Sequence, residues 1–151
     1  MLLDTLTAVA TLAIVLAVTT ANYARAVAET NVSLTAQQLD AINAATVRYG
    51  IDHAGRFPIG LAVTPTIPGS PYLPAIPQSP IGALPYKYGT QTDDGAPYVI
   101  IDTNRFSGGA DTTSDWTLLG NFRRHDGQPC REGDFLAVDP IHNVYCGAFD
   151  V

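Results

Sequence analysis

Few residues in this chain have types and spacings that could do chemistry. His53, His125 and His142 are far apart, and no Cys/His spacing reads as a zinc site. No Ser/His/Asp nucleophile motif and no glycine-rich phosphate loop occurs. Without a nucleophile, an acid/base pair or a metal constellation, the expectation is that the chain is not an enzyme. One loop stands out. Ser107-Gly108-Gly109-Ala110-Asp111-Thr112-Thr113-Ser114-Asp115 places two carboxylates, Asp111 and Asp115, among several hydroxyls. Hard oxygen ligands on a flexible loop suit Ca²⁺. The spacing of a complete calcium loop is missing, so a solvated turn stands beside that reading, and no other cofactor is expected. Arg123, Arg124, Asp126 and Glu132 read as a solvated charge cluster. Asn31-Val32-Ser33 is a glycosylation sequon, a pattern that by frequency alone usually goes unmodified.

The two cysteines, Cys130 and Cys146, are the remaining reactive pair. In a chain with a membrane-directed N-terminus, an even pair points to a disulfide formed in an oxidising compartment. Closing so short a loop contributes roughly 3 kcal/mol in the loop-entropy model. Two buried free thiols are the alternative.

The element that must position all of this is the N-terminal stretch, Met1 to Ala24, which carries a single charge, Asp4. Thr5 to Ala21 holds twelve apolar residues and five threonines, without Gly or Pro. About 20 mostly apolar residues suffice to cross a bilayer as a helix. A secretory signal would have a base ahead of its apolar core, yet the first positive charge here is Arg25. An uncleaved anchor with Arg25 on the cytoplasmic side would leave both cysteines in the cytosol. A basic leader removed ahead of Met1 resolves that conflict, so a processed N-terminus is the expectation. Alanines and threonines allow helices to approach closely and to hydrogen-bond one another in an apolar setting. An acid such as Asp4 is costly in lipid unless paired. It is favoured at a helix N-terminus, and it can pair with the Met1 amine of a neighbouring copy; an unpaired interfacial carboxylate is the alternative.

The rest of the chain divides by composition. Residues 1–30 form the hydrophobic segment and 31–151 a head. Within the head, residues 31–55 read as an amphipathic helix, because Val32, Ala36, Leu39, Ile42, Ala45 and Tyr49 share a face, with Asp40, Asn43 and Arg48 off it. Thr35-Ala36-Gln37-Gln38 resembles a capping box after the poor helix formers Asn31-Val32-Ser33, which places a break or kink between Glu29 and Thr35. Residues 56–85 hold eight of the eleven prolines and read as a stiff loop packed on the surface by Leu61, Val63, Ile67, Leu73, Ile76, Ile81 and Leu84. Residues 86–151 read as an antiparallel meander: Tyr86–Tyr88, Tyr98–Ile101, Asp115–Leu119, Phe135–Val138 and Val144–Cys146. The fold class is α+β, a long helix on one face of a small sheet with a C-terminal disulfide loop. Ten acids against four arginines from Asp93 onward argue against nucleic acid as a partner.

In this order the features resemble the type IV pilin superfamily. Gly55-Arg56-Phe57-Pro58 is similar to the Gly-Arg-aromatic-Pro helix exit of type II secretion pseudopilins. Ser79-Pro80-Ile81-Gly82-Ala83-Leu84-Pro85-Tyr86-Lys87-Tyr88 resembles their entry to the sheet, and Gly109-Ala110-Asp111 their calcium-binding loop. The span Cys130 to Cys146 resembles the C-terminal disulfide loop of true pilins. The chain departs from the family in having Asp4 where a glutamate is usual and in lacking a proline within the first helix. The resemblance implies a structural subunit of an extracellular filament at the cell surface, held in the inner membrane before assembly. It implies as partners further copies of the chain, a platform protein, an assembly motor and a leader peptidase. A membrane-tethered domain that binds a partner without polymerising, or a secretion pseudopilin, would have the same outline.

Overall fold

The fold is that of a computed structural model, which describes residues 1–58, 60, 72–90, 92, 94–109 and 113–150. A single helix, α1, runs over Leu2–Asp52. At 1.5 Å per residue its 51 residues extend about 76 Å. Four strands follow: β1 (Tyr86–Gly89), β2 (Val99–Asp102), β3 (Phe135–Val138) and β4 (Tyr145–Gly147). They form one antiparallel meander in chain order. A 3₁₀ helix, η1 (Trp116–Asn121), lies between β2 and β3.

The helix has no break at residues 29–35. The cap expected at Thr35 is absent, because the Thr35 hydroxyl donates to the carbonyl of Asn31 at 2.9 Å within the helix. Thr35 is fully buried, and Ala28 and Val32 are buried on the same face. Packing of this stripe against the head overrides the weak helix propensity of Asn31-Val32-Ser33. The helix ends where expected. The backbone N–H of Gly55 reaches the carbonyl of Gly50 at 2.7 Å, and Ala54 and Gly55 both have positive φ. Gly50 makes a close approach: a Cβ there would stand 2.7 Å from the Phe57 ring, which would have to shift.

Strand alternation gives the sheet two apolar faces. Tyr86, Ile100, Leu136, Val138 and Cys146 join Val32, Leu39, Ile42 and Ala45 of α1 in the main core. Val99, Ile101, Phe135, Ala137 and Tyr145 form a second cluster on the other face, with Phe149 packed on it. Asn43, expected off the buried face, lies between helix and sheet: it accepts from the Tyr98 hydroxyl at 2.7 Å and donates to the Asp139 carbonyl at 3.2 Å. Gln38 likewise accepts from Tyr86 at 2.6 Å. Burial pushes both tyrosine pKa values up, so these hydroxyls remain donors.

The strand expected at Asp115–Leu119 is η1 instead. Asp115 Oδ1 accepts from the Thr117 N–H at 2.9 Å and caps the turn. The consecutive residues Leu118 and Leu119 are both buried, which a strand open on one face does not allow. Of the proline-rich segment, Leu73 and Ile76 pack on the core and Ile81 is buried, whereas Leu84 is 41% exposed. Leu61, Val63 and Ile67 lie outside the described residues. Asp102, Ser79 and Asn104 join this segment to the end of β2. Asp102 accepts from the Ser79 hydroxyl at 2.7 Å and from the Asn104 side chain at 2.6 Å. Asn104 also donates to the Ile81 carbonyl.

Candidate functional site

From Met1 to Tyr23 every residue of α1 is exposed; burial begins at Ala28. Leu2, Leu6, Leu12, Ile14 and Val18 are therefore left uncovered by the described residues of the head. The helix is long and apolar enough to cross a membrane. That property is shared by membrane spans and signal sequences.

The threonines of this segment do something the sequence did not indicate. Thr5, Thr7, Thr11, Thr19 and Thr20 each donate their hydroxyls to carbonyls three and four residues back, at 2.9–3.3 Å. With these donors satisfied inside the helix, the threonines present mainly their methyl groups outward. They offer a neighbour shape and apolar surface; the interhelical hydrogen bonds expected from them have no free hydroxyl proton. Asp4 Oδ2 lies 3.9 Å from the Met1 amine of its own chain, with both groups exposed. Arg25 and Glu29 pair at 3.1 Å at the end of the exposed stretch. Asn31 follows, half-buried within the helix.

In the head, Cys130 and Cys146 form a disulfide with Cα atoms 5.8 Å apart. Cys146 lies in β4 and in the main core, so the bridge ties the loop before β3 to the last strand.

Of the expected solvated charge cluster, Arg123, Asp126 and Glu132 are exposed, whereas Arg124 is half-buried in an ion pair. Arg124 makes a two-pronged pair with Asp134, at 3.0 Å through Nε and 2.6 Å through Nη2, and the Asp134 side chain is only 2% exposed. Asp134 also accepts from the Arg131 N–H at 2.8 Å. Burial alone would raise the Asp134 pKa, but the Arg124 hydrogen bonds, the Arg131 N–H and the two guanidinium charges outweigh it and hold the pKa below the usual range. Arg123 donates to the carbonyls of Gly120 and Phe122, Asp126 Oδ1 accepts from the Gln128 N–H, and Glu132 Oε1 accepts from the Gly108 N–H. Each member of the run has a local structural partner.

Of the residues proposed for calcium, Asp111 lies outside the described residues and Asp115 uses Oδ1 to cap η1. The fold instead gathers acids around one histidine. His142 Nδ1 lies 3.2 Å from Asp94 Oδ2 and 3.0 Å from Asp139 Oδ2. These residues are 48 positions apart in sequence at their extremes, between Asp94 and His142, so no local motif announces them. His53, by contrast, stacks on Tyr49 with centroids 3.8 Å apart and donates Nδ1–H to the Tyr49 carbonyl at 2.8 Å. It is part of the helix end.

Comparison of the chain with protein-family models, curated proteins and solved structures finds no match. The class is therefore defined by the architecture: a long N-terminal apolar helix on a small antiparallel sheet, with a disulfide, an arrangement compatible with a pilin-like fold.

Proposed function

We propose that this chain is a structural subunit of a type IV pilus-like extracellular filament, polymerising through its N-terminal helix. The observation that carries the proposal is the apolar half of α1, which its own head leaves bare although the helix continues unbroken into the core. Such a surface needs a non-aqueous surrounding. Before assembly, lipid supplies it, and the chain waits in the membrane. In the filament, staggered copies of the same helix supply it, in a heterologous contact that does not close on itself. Alanines and methyl-presenting threonines suit close helix packing in both settings. Asp4 pairs with the Met1 amine of a neighbour, since a carboxylate drawn into a helix bundle needs a partner. The head forms the outer shell, and the disulfide matches an extracellular location.

The test is Asp4→Ala in cells that express the chain, with sheared surface material imaged by electron microscopy and its protein identified by mass. Wild type is expected to give polymers whose dominant protein is this chain, and the variant few or none. Equal numbers of filaments from both would remove the role given to Asp4. An anchored protein with no polymer in wild type would make it a membrane-tethered binding domain.

A further inference from the structure

We propose that Asp94, Asp139 and His142 form a site for a divalent transition-metal ion, with Zn²⁺ the best match. The site is independent of the filament reading. Asp94 Oδ2, Asp139 Oδ2 and His142 Nδ1 all lie within 4.8 Å of one another. His142 Nδ1 is 3.2 Å from the first oxygen, 3.0 Å from the second and 3.2 Å from Asp139 Oδ1. One ring nitrogen carries at most one proton, so the two carboxylates can at best share a single N–H. A cation among the three atoms serves both acids at once.

The two nitrogen–oxygen distances to the Oδ2 atoms suit a small ion. Nitrogen and oxygen ligands about 2.0–2.1 Å from zinc at the corners of a tetrahedron are about 3.3 Å apart. Calcium needs six or more oxygens at about 2.3–2.6 Å and has little use for an imidazole.

The ligands are also held in place. Asp139 is fully buried. Its Oδ1 accepts from the N–H groups of Ile141 and His142, each at 2.7 Å. The side chain of Tyr145 is a further hydrogen-bond partner of this carboxylate. Asp94 uses Oδ1 to accept from the Ala96 N–H at 3.2 Å, which leaves Oδ2 for the cluster. Tyr145 packs against the His142 ring with centroids 5.6 Å apart. Such outer contacts orient metal ligands. A cleft of about 230 Å³ lined by Asp94, Arg124, His125, Asp126 and Tyr145 reaches one of the three ligands, Asp94. The fourth position is left to water. Binding would tie the β1–β2 connection to the turn after β3, and through the Asp139 carbonyl to Asn43 of α1.

The experiment titrates the full oxidised chain, in detergent micelles, with ZnCl₂. Calorimetry should show one equivalent bound. The unfolding midpoint should rise by about 5–10 °C at a hundredfold excess over Kd and fall back on adding EDTA. Asp94→Asn, which keeps Oδ1 for Ala96, and His142→Ala should each weaken binding at least tenfold. Absence of binding by wild type would overturn the site. So would wild-type affinity in Asp94→Asn, a loop variant that preserves the fold even if His142→Ala does not.

Discussion

Leu12 and Leu39 stand on the same unbroken helix, yet Leu12 is 63% exposed and Leu39 fully buried. The backbone treats the two halves alike. Thr11 in the first and Thr46 in the second both return their hydroxyls to a carbonyl four residues back, at 3.0 and 2.8 Å. What differs is the cover. Among the described residues, the head supplies a sheet face to residues 28–50 and no cover to residues 2–23. Helix formation and burial are thus partly separate problems in this chain: residues 2–23 are helical although exposed, whereas continuity through Asn31-Val32-Ser33 leans on burial against the head.

The largest effect should come from truncating the covered half. Leu39→Ala is expected to destabilise the head by about 2–5 kcal/mol, the range for a buried leucine that leaves a cavity. Leu12→Ala should change head stability by less than about 0.5 kcal/mol, as exposed positions do. Denaturant unfolding in micelles, followed by tyrosine and tryptophan fluorescence, measures both. A Leu12 variant as damaging as the Leu39 variant would show that the two halves share one cooperative unit.

The disulfide comes next. Cys130 and Cys146 are 16 residues apart in sequence, and a loop of that size is worth about 3 kcal/mol. Reduction should lower the unfolding midpoint of the head while the helical circular dichroism of the micelle-bound half persists. Loss of that signal together with the head would contradict the separation of the two halves.

Removing the guanidinium from the Arg124–Asp134 pair tests a buried charge. Arg124→Ala should cost about 2–3 kcal/mol, at or below the usual range for breaking a buried pair because Arg124 itself remains partly exposed. The pH dependence has a definite sign. Asp134 has a folded pKa below its unfolded value, so its contribution is present above the unfolded carboxylate range, near 3.9, and is lost as pH falls through the folded pKa. Wild type should therefore lose stability between about pH 4 and the lower folded value, and Arg124→Ala should lose less. Asp102 acts in the opposite direction. Burial raises its pKa despite the hydrogen bonds from Asn104 and Ser79, so protonation of this group favours the folded state as pH falls.

How much of this was legible depended on whether a feature is local. The buried stripe Val32, Leu39, Ile42 and Ala45 follows from helical spacing, and β3 follows from an uninterrupted apolar run bounded by acids. The cysteine pair needed only the count and the apolar N-terminus. The stretch Trp116 to Leu119 misled because its residues favour strands, while Asp115 and two adjacent buried leucines favour a capped turn. Continuity through Asn31-Val32-Ser33 was hidden because it depends on burial of Ala28, Val32 and Thr35 against the head. Arg124 with Asp134, and Asp94 with Asp139 and His142, were hidden for the same reason. Each group meets only after the sheet has formed, and charged residues look alike in sequence whether they end in water or in a core.

The smallest effect should lie at the boundary between the halves. Arg25 and Glu29 pair across one helical turn at 3.1 Å, and both side chains are more than half exposed. Exposed pairs of this spacing contribute about 0.3–0.5 kcal/mol, and the order here, base before acid, is the weaker one. Glu29→Gln should therefore move the unfolding midpoint of the head by less than about 1 °C, and 1 M salt should erase even that. Ala28, the residue just before Glu29, is almost fully buried, so Ala28→Asp should destabilise the head measurably where Glu29→Gln does not. If both substitutions are silent, the head does not reach as far along the helix as Ala28. If Glu29→Gln instead costs more than about 1 kcal/mol, the cover reaches the Arg25 end of the pair, beyond Ala28, and the bare apolar surface is correspondingly shorter.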